Sequence, residues 1–157
     1  MGVGPGPFTG LRVGVVTAVT LAEVLGVGVR GVCSLDAVAA AWASEDAPEE
    51  FAVVSDARRR EVYWARYDGA GRRTDGPHVT PPDAVPAVPL AGPGASLVPG
   101  GNVRGPVELD AGVLAARGGA LADVGLEPLY LRRPDAEVST RVKSTLTQPK
   151  LALGRKR

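Results

Sequence analysis

The sequence predicts an α/β fold, a single domain running over residues 1–133 with a basic tail at 134–157. Three stretches carry that prediction. A proline-free apolar segment from Thr9 to Leu25 follows a glycine-rich loop, "VGVRGVCS" leads into "SLDAVAAAWA" as a strand leads into a helix, and "FAVVSDA" and "EVYWARY" are rich in β-branched and aromatic residues. At 157 residues the chain is long enough to bury one core of its own. Its 21 glycines and 14 prolines make it loop-rich without reaching the level of a low-complexity chain.

The first helix is expected to open at Thr9, whose hydroxyl can accept from an orphan backbone N–H. At about 100° per residue, Leu11, Val15, Ala18, Ala22 and Leu25 share one face, and Val13, Val16, Thr20 and Val24 share the nearly opposite one. Arg12 and Glu23 mark a narrow polar strip between them. Two apolar faces call for cover on both sides, one by the domain's own sheet and the other by a second helix or a partner protein.

The "VGVRGVCS" strand is followed by a helix opened by Ser34, with Leu35, Val38, Ala39 and Trp42 at helical spacing. The next two strands form a hairpin whose tip is "RRR", where Asp56 and Glu61 cap the turn and pair with the arginines. From Asp68 to Pro106 glycine and proline are too dense for a long element, so loops and short edge strands such as "SLVPGG" are expected. Asp110 caps a helix reaching about Val124, and "PLYLRRP" reads as a last extended segment. No internal repeat is present.

The chemistry these residues permit is narrow. Gly4, Gly6, Thr9 and Gly10 are the positions that would cradle a phosphate, since a glycine loop at a helix N-terminus offers free N–H groups. The spacing nevertheless fits neither nucleotide fingerprint, and Pro5 and Pro7 remove donors the cradle would use. His78 is the single histidine, which excludes a His-rich metal site and leaves no Ser-His-Asp motif around it. Cys33, the single cysteine, cannot form an internal disulfide and reads as a small core residue. The apolar run Val13 to Val19 is too short for a secretory or membrane segment, so a cytoplasmic protein without membrane contact is expected. Charge is uneven: from Arg132 onward eight Lys/Arg face only Asp135 and Glu137, whereas the rest carries ten against fifteen. Such a tail can touch an anionic partner such as RNA, or stand solvated as a flexible end.

Taken together, "GVGPGPFTGLRVGVVTAVTLAEVLGVGVRGVCSLDAVA", "SDARRREVYWARY" and "EPLYLRRPDA", in that order, resemble the TsaB family, also called YeaZ. The resemblance implies an actin-like, sugar kinase-type ATPase superfamily domain that is catalytically silent, with no catalytic residues, metal or cofactor. It implies pairing with a TsaD-like catalytic subunit, and through the complex with a TsaE-like ATPase, in threonylcarbamoyl transfer to the adenosine beside the anticodon of tRNA. TsaD-like members hold a metal through two helix histidines, a pair that one histidine cannot supply. The helix after the "GPGPFTGLR" loop is implied to pack between subunits, which makes Val13, Val16, Thr20 and Val24 the expected partner interface. The chain alone could also pair with a second copy of itself. Serine is usual at Pro7 and a small residue at Arg60, substitutions that loops tolerate. The family's first strands and first helix have no counterpart here, so the chain is expected to be N-terminally incomplete. Two other readings stay open: a glycoprotease-like peptidase or nucleotide hydrolase, and a tRNA-binding module acting through "RVKSTLTQPKLALGRKR".

Overall fold

The computed structural model describes residues 1–132. Its element order is α1 (Phe8–Leu25), α2 (Ser34–Ala43), β1 (Glu50–Asp56), β2 (Val62–Asp68), β3 (Arg73–Thr80), β4 (Leu90–Ala91) and α3 (Ala111–Arg117), with 3-10 turns at Pro82–Ala84 and Ala95–Leu97. The strands form one mixed sheet in the order β3-β2-β1-β4. β1, β2 and β3 are antiparallel neighbours, and β4 joins β1 in parallel through Ala52↔Leu90 and Val53↔Ala91.

The period-two alternation of β1 and β2 sorts their side chains onto two buried faces. Phe51, Val53, Ala65 and Tyr67 meet Leu35, Val38, Ala39 and Trp42 of α2. Ala52, Val54, Val62 and Trp64 meet Val85, Leu90 and Ala95 from the segment that crosses the other face. Aromatic rings join the first layer: Phe51 stacks on Tyr67 at 5.5 Å between centroids and meets Trp42 at a tilt at 4.7 Å. A helix covers one side of the sheet and irregular chain the other, so an α/β fold is what the sequence folds into.

Several local expectations give way. The "VGVRGVCS" segment makes only an isolated parallel bridge, Gly2↔Val32, because its neighbours are single extended residues and not a strand. β3 lies within the stretch read as loops. Gly76 and Pro77 interrupt it, yet β3 is an edge strand on which a residue without an N–H is tolerated, and register shifts around Arg66 absorb the irregularity. "SLVPGG" is a 3-10 turn followed by a loop, not an edge strand. Asp110 does cap α3, accepting from Gly112 N–H at 2.6 Å, but Gly118 and Gly119 follow immediately and the helix stops at Arg117. The cover of the sheet comes from α2, not from α1. Leu129 in "PLYLRRP" is held by one backbone bond to the Val3 carbonyl at 2.8 Å. The expectation for residues 134–157 lies outside the described residues.

Candidate partner interface

α1 is a continuous eighteen-residue helix, longer than the Val13–Val19 run alone suggests. Pro7 occupies its N-cap position with φ −58°, and no side chain caps it. Thr9 therefore sits inside the first turn, an exposed residue and not the cap. Proline wins here because its fixed φ aims the chain into the helix, and its carbonyl accepts from Leu11 N–H at 2.8 Å. At the far end Gly26 adopts φ 63°, its N–H bonds to Glu23, and Val27 N–H bonds to Ala22 at 3.0 Å. That pair of bonds is a Schellman closure.

The helix is fastened to the domain at its start. The Phe8 and Tyr130 rings lie 4.9 Å apart, and the Arg12 guanidinium stands 5.3 Å over Phe8. Gly4 sits against Leu11: a Cβ at this glycine would fall 2.9 Å from a Leu11 methyl. Val15 and Ala22 are buried and Leu11 and Ala18 half-buried, which makes this the inner face. Leu25 departs from the expected face and is exposed.

On the opposite side Val13, Val16, Thr20 and Val24 are all exposed, with Val13 at 60%, Val16 at 64% and Val24 at 77%. Leu21 and Val27 extend this surface, two residues the sequence reading did not include. The helical wheel places Leu21 at the margin of the stripe, and Val27 follows the helix end, so a strict periodic reading passes over both. By length and composition α1 is also long and apolar enough to cross a membrane. Phe8 on Tyr130 and the burial of Val15 and Ala22 instead lay it along the domain.

The glycine loop is structural where it touches the rest of the fold. Gly4 N–H donates to Ser34 Oγ at 3.1 Å, and Ser34 N–H donates to the Gly4 carbonyl at 2.7 Å. This occupies one donor that a phosphate cradle would use, while Gly6, Thr9 and Gly10 lie at the opening of α1. An open cleft of about 470 Å³ beside α2 is edged by Arg72, Arg73 and Arg117. Arg72 is spent on Asp68 at 2.9 Å and Arg73 on Asp36 at 3.5 Å. Among the described residues no group of three or more His, Cys, Asp or Glu stands together as a metal site.

Polar chemistry elsewhere is tied up. His78 Nε2 lies 2.9 Å from Asp75 Oδ1 on the exposed face of β3, and this bond holds the Asp75 carboxyl below its usual range. Thr80, on the same strand, accepts from the Trp64 indole at 2.9 Å and donates to the Pro81 carbonyl at 3.0 Å. Cys33 is buried, and burial, with the nearby Asp36 charge, pushes its thiol up to about 11. It behaves as core.

The family described as TsaD: tRNA N6-adenosine threonylcarbamoyltransferase matches residues 1–85. Uncharacterised proteins of Mycobacterium bovis and Mycobacterium tuberculosis are 46% identical over 142 residues, covering 87% of this chain and 64% of their own length. The chain thus spans less than two thirds of these relatives. Among solved structures, YeaZ from Pseudomonas aeruginosa is 30% identical with a TM-score of 0.61, over 83% of this chain and 72% of that one. A second structure, an uncharacterised Pseudomonas aeruginosa protein with similarity to peptidase YeaZ, gives 28% identity and a TM-score of 0.65, over 83% and 71%.

Proposed function

This chain belongs to the TsaD family, on its TsaB/YeaZ-like side, and from that premise we propose that it is a non-catalytic subunit pairing with a TsaD-like catalytic protein. The pair, with a TsaE-like ATPase, would transfer a threonylcarbamoyl group to the adenosine beside the anticodon of tRNA in the cytoplasm. The observation that carries this reading is the exposed stripe Val13, Val16, Thr20 and Val24 on a helix whose other face is seated in the domain. An exposed stripe of this kind is what a partner helix would cover. In this role α1 acts as a prop: burying its stripe holds the partner's catalytic domain in one arrangement, and the chemistry stays with the partner.

The test is co-expression with the TsaD-like protein of the same cell, followed by light scattering of the eluting species. The unaltered chain is expected to give a heterodimer, and Val16→Asp is expected to abolish it, because a charge in the middle of a desolvated stripe has no counter-ion. Unchanged pairing by Val16→Asp would remove α1 from the interface.

A peptidase reading is favoured by one observation, the His78–Asp75 pair, together with the description of a structural neighbour as similar to peptidase YeaZ. It needs a hydroxyl for that pair to activate, and the Thr80 hydroxyl on the same strand is engaged on both sides. Hydrolysis of casein or ATP that disappears in His78→Ala would favour it. Neither activity is expected.

A further inference from the structure

Helix α1 carries only two charges, Arg12 and Glu23, and both are exposed. They stand eleven positions apart, which at about 100° per residue returns to within about 20° of the same line after three turns. At about 1.5 Å per residue they are roughly 16 Å apart along the axis. Their line runs beside Val16, along one margin of the outward stripe, while the other margin, at Gly14 and Leu21, is uncharged. Among the described residues neither charge forms an ion pair. Arg12 is held instead by the Phe8 ring, 5.3 Å from its guanidinium, and Phe8 in turn lies against Tyr130.

The order of the two charges is the reverse of what the helix alone would favour. Its macrodipole is positive at the N-terminus and negative at the C-terminus, which suits carboxylates early and cations late. Here the cation sits one position past the first turn and the carboxylate in the last turn. A pattern that breaks a local rule points to a gain outside the helix. A helix running the other way supplies it. When two copies of α1 lie antiparallel about a two-fold axis level with the Thr17–Ala18 peptide, Arg12 of each copy comes level with Glu23 of the other. That operation keeps the two charged margins on the same side of the seam, so both cross-pairs form, whereas a parallel pair turns them to opposite sides and leaves every charge unmatched. In the antiparallel register Val13 falls level with the gap between Thr20 and Val24 of the copy, and Val16 with the gap between Val16 and Thr20, the spacing into which a ridge side chain packs. Val15 and Ala22 stay turned toward their own domains.

We infer that the outward stripe of α1 seats a second copy of the same helix, run antiparallel, with Arg12 and Glu23 as the residues that fix its direction and register. The occupant follows from charge, since the stripe carries the complement of its own charge pattern. Exposed pairs at a rim contribute little to affinity and much to the choice of orientation, and the apolar seam beside them supplies the holding force. The contact with Phe8 keeps Arg12 at the margin before the copy arrives, so less side-chain freedom is lost on pairing. The inference rests on α1 alone and stands whether or not a TsaD-like protein uses the same stripe.

The experiment is sedimentation equilibrium on the full chain and its charge-swapped variants, at about 50 mM and about 1 M salt. Arg12→Glu places carboxylate against carboxylate twice in the pair, and Glu23→Arg places guanidinium against guanidinium twice. Each is expected to raise the dimer dissociation constant about tenfold at low salt and much less at high salt. Both changes suit the macrodipole, so weaker association does not come from a weaker helix. An equimolar mixture of the two variants sets a chain with two carboxylates against a chain with two guanidiniums, and is expected to associate within about twofold of the parent. The double variant Arg12→Glu/Glu23→Arg should recover in the same way. Recovery in the mixture also separates charge matching from the loss of the Phe8 contact. A parent that stays monomeric at every concentration would overturn the self-pairing. Equal constants for the parent and the single variants, or a mixture no tighter than its components, would overturn the antiparallel register. Each measurement uses this chain alone, so failure to bind a TsaD-like protein leaves the result untouched.

Discussion

Asp36 is the one charged residue among the buried side chains of the described residues, and it shows how much a single position owes to distant ones. Its carboxylate accepts from the Tyr67 hydroxyl at 2.8 Å and lies 3.5 Å from Arg73 Nε. Burial raises its pKa above the usual carboxylate range, against the opposing pull of Tyr67 and Arg73. Asp36→Ala would strand a buried hydroxyl and a half-screened guanidinium, and is expected to lower the unfolding free energy by about 2–4 kcal/mol in urea titrations. Asp36→Asn keeps an acceptor for Tyr67 and should cost less. The pH dependence follows from the direction of the shift. Above the unfolded-state value, the native chain holds this proton more tightly than the unfolded chain does, so stability falls as pH rises through the window up to the native pKa. That decline should be absent in Asp36→Asn, and a parallel pH profile for parent and variant would refute the assignment. The helical spacing of Leu35, Val38, Ala39 and Trp42 made the buried side of α2 legible, and Cys33 was readable as core. Asp36 was not, because its partners lie on strands whose pairing no local pattern reveals.

At the level of elements, α1 depends on one glycine. Gly26 sits at φ 63° with open space where a Cβ would go, so a substitution there meets backbone strain and nothing else. Gly26→Ala is expected to cost about 1 kcal/mol, a drop of about 4 °C in a thermal melt followed by circular dichroism, and Gly26→Asn much less. Equal losses for the two would mean that the Schellman closure is not what ends the helix. Helix α1, helix α2 and the hairpin were all legible because each is announced by its own periodicity. β3 was hidden by Gly76 and Pro77, which read as loop until its position at the sheet edge is known. The overlong reading of α3 is the complementary case: Asp110 marked its start correctly, while Gly118 and Gly119 outweighed the apolar residues beyond them. At the hairpin tip Arg58, Arg59 and Arg60 take φ of 62°, 54° and 62°, a conformation the sequence does not announce, since nothing local favours φ above zero for arginine.

The molecule as a whole is asymmetric: a well-filled sheet with apolar clusters on both faces, and a helix attached along one side with half its apolar surface outward. The stripe was readable from spacing alone; its exposure required knowing that α2, not α1, takes the face of the sheet. Val13, Val16, Leu21, Val24 and Val27 together form a surface that water alone covers poorly, and a second copy of the same helix offers the simplest apolar complement when the catalytic partner is absent. The isolated chain is therefore expected to associate as concentration rises, with a sedimentation coefficient moving from monomer toward dimer and a thermal midpoint that climbs with concentration. In a two-fold pair each residue near the axis meets its own copy, so Val16→Asp would bring two carboxylates together in a desolvated seam. That variant should remain monomeric at every concentration and lose the concentration dependence of its midpoint. Association driven by apolar burial should also persist or strengthen at high salt. A dimer that Val16→Asp leaves intact, or one that dissolves as salt is added, would place the self-contact on a charged surface elsewhere and leave the α1 stripe to the catalytic partner alone.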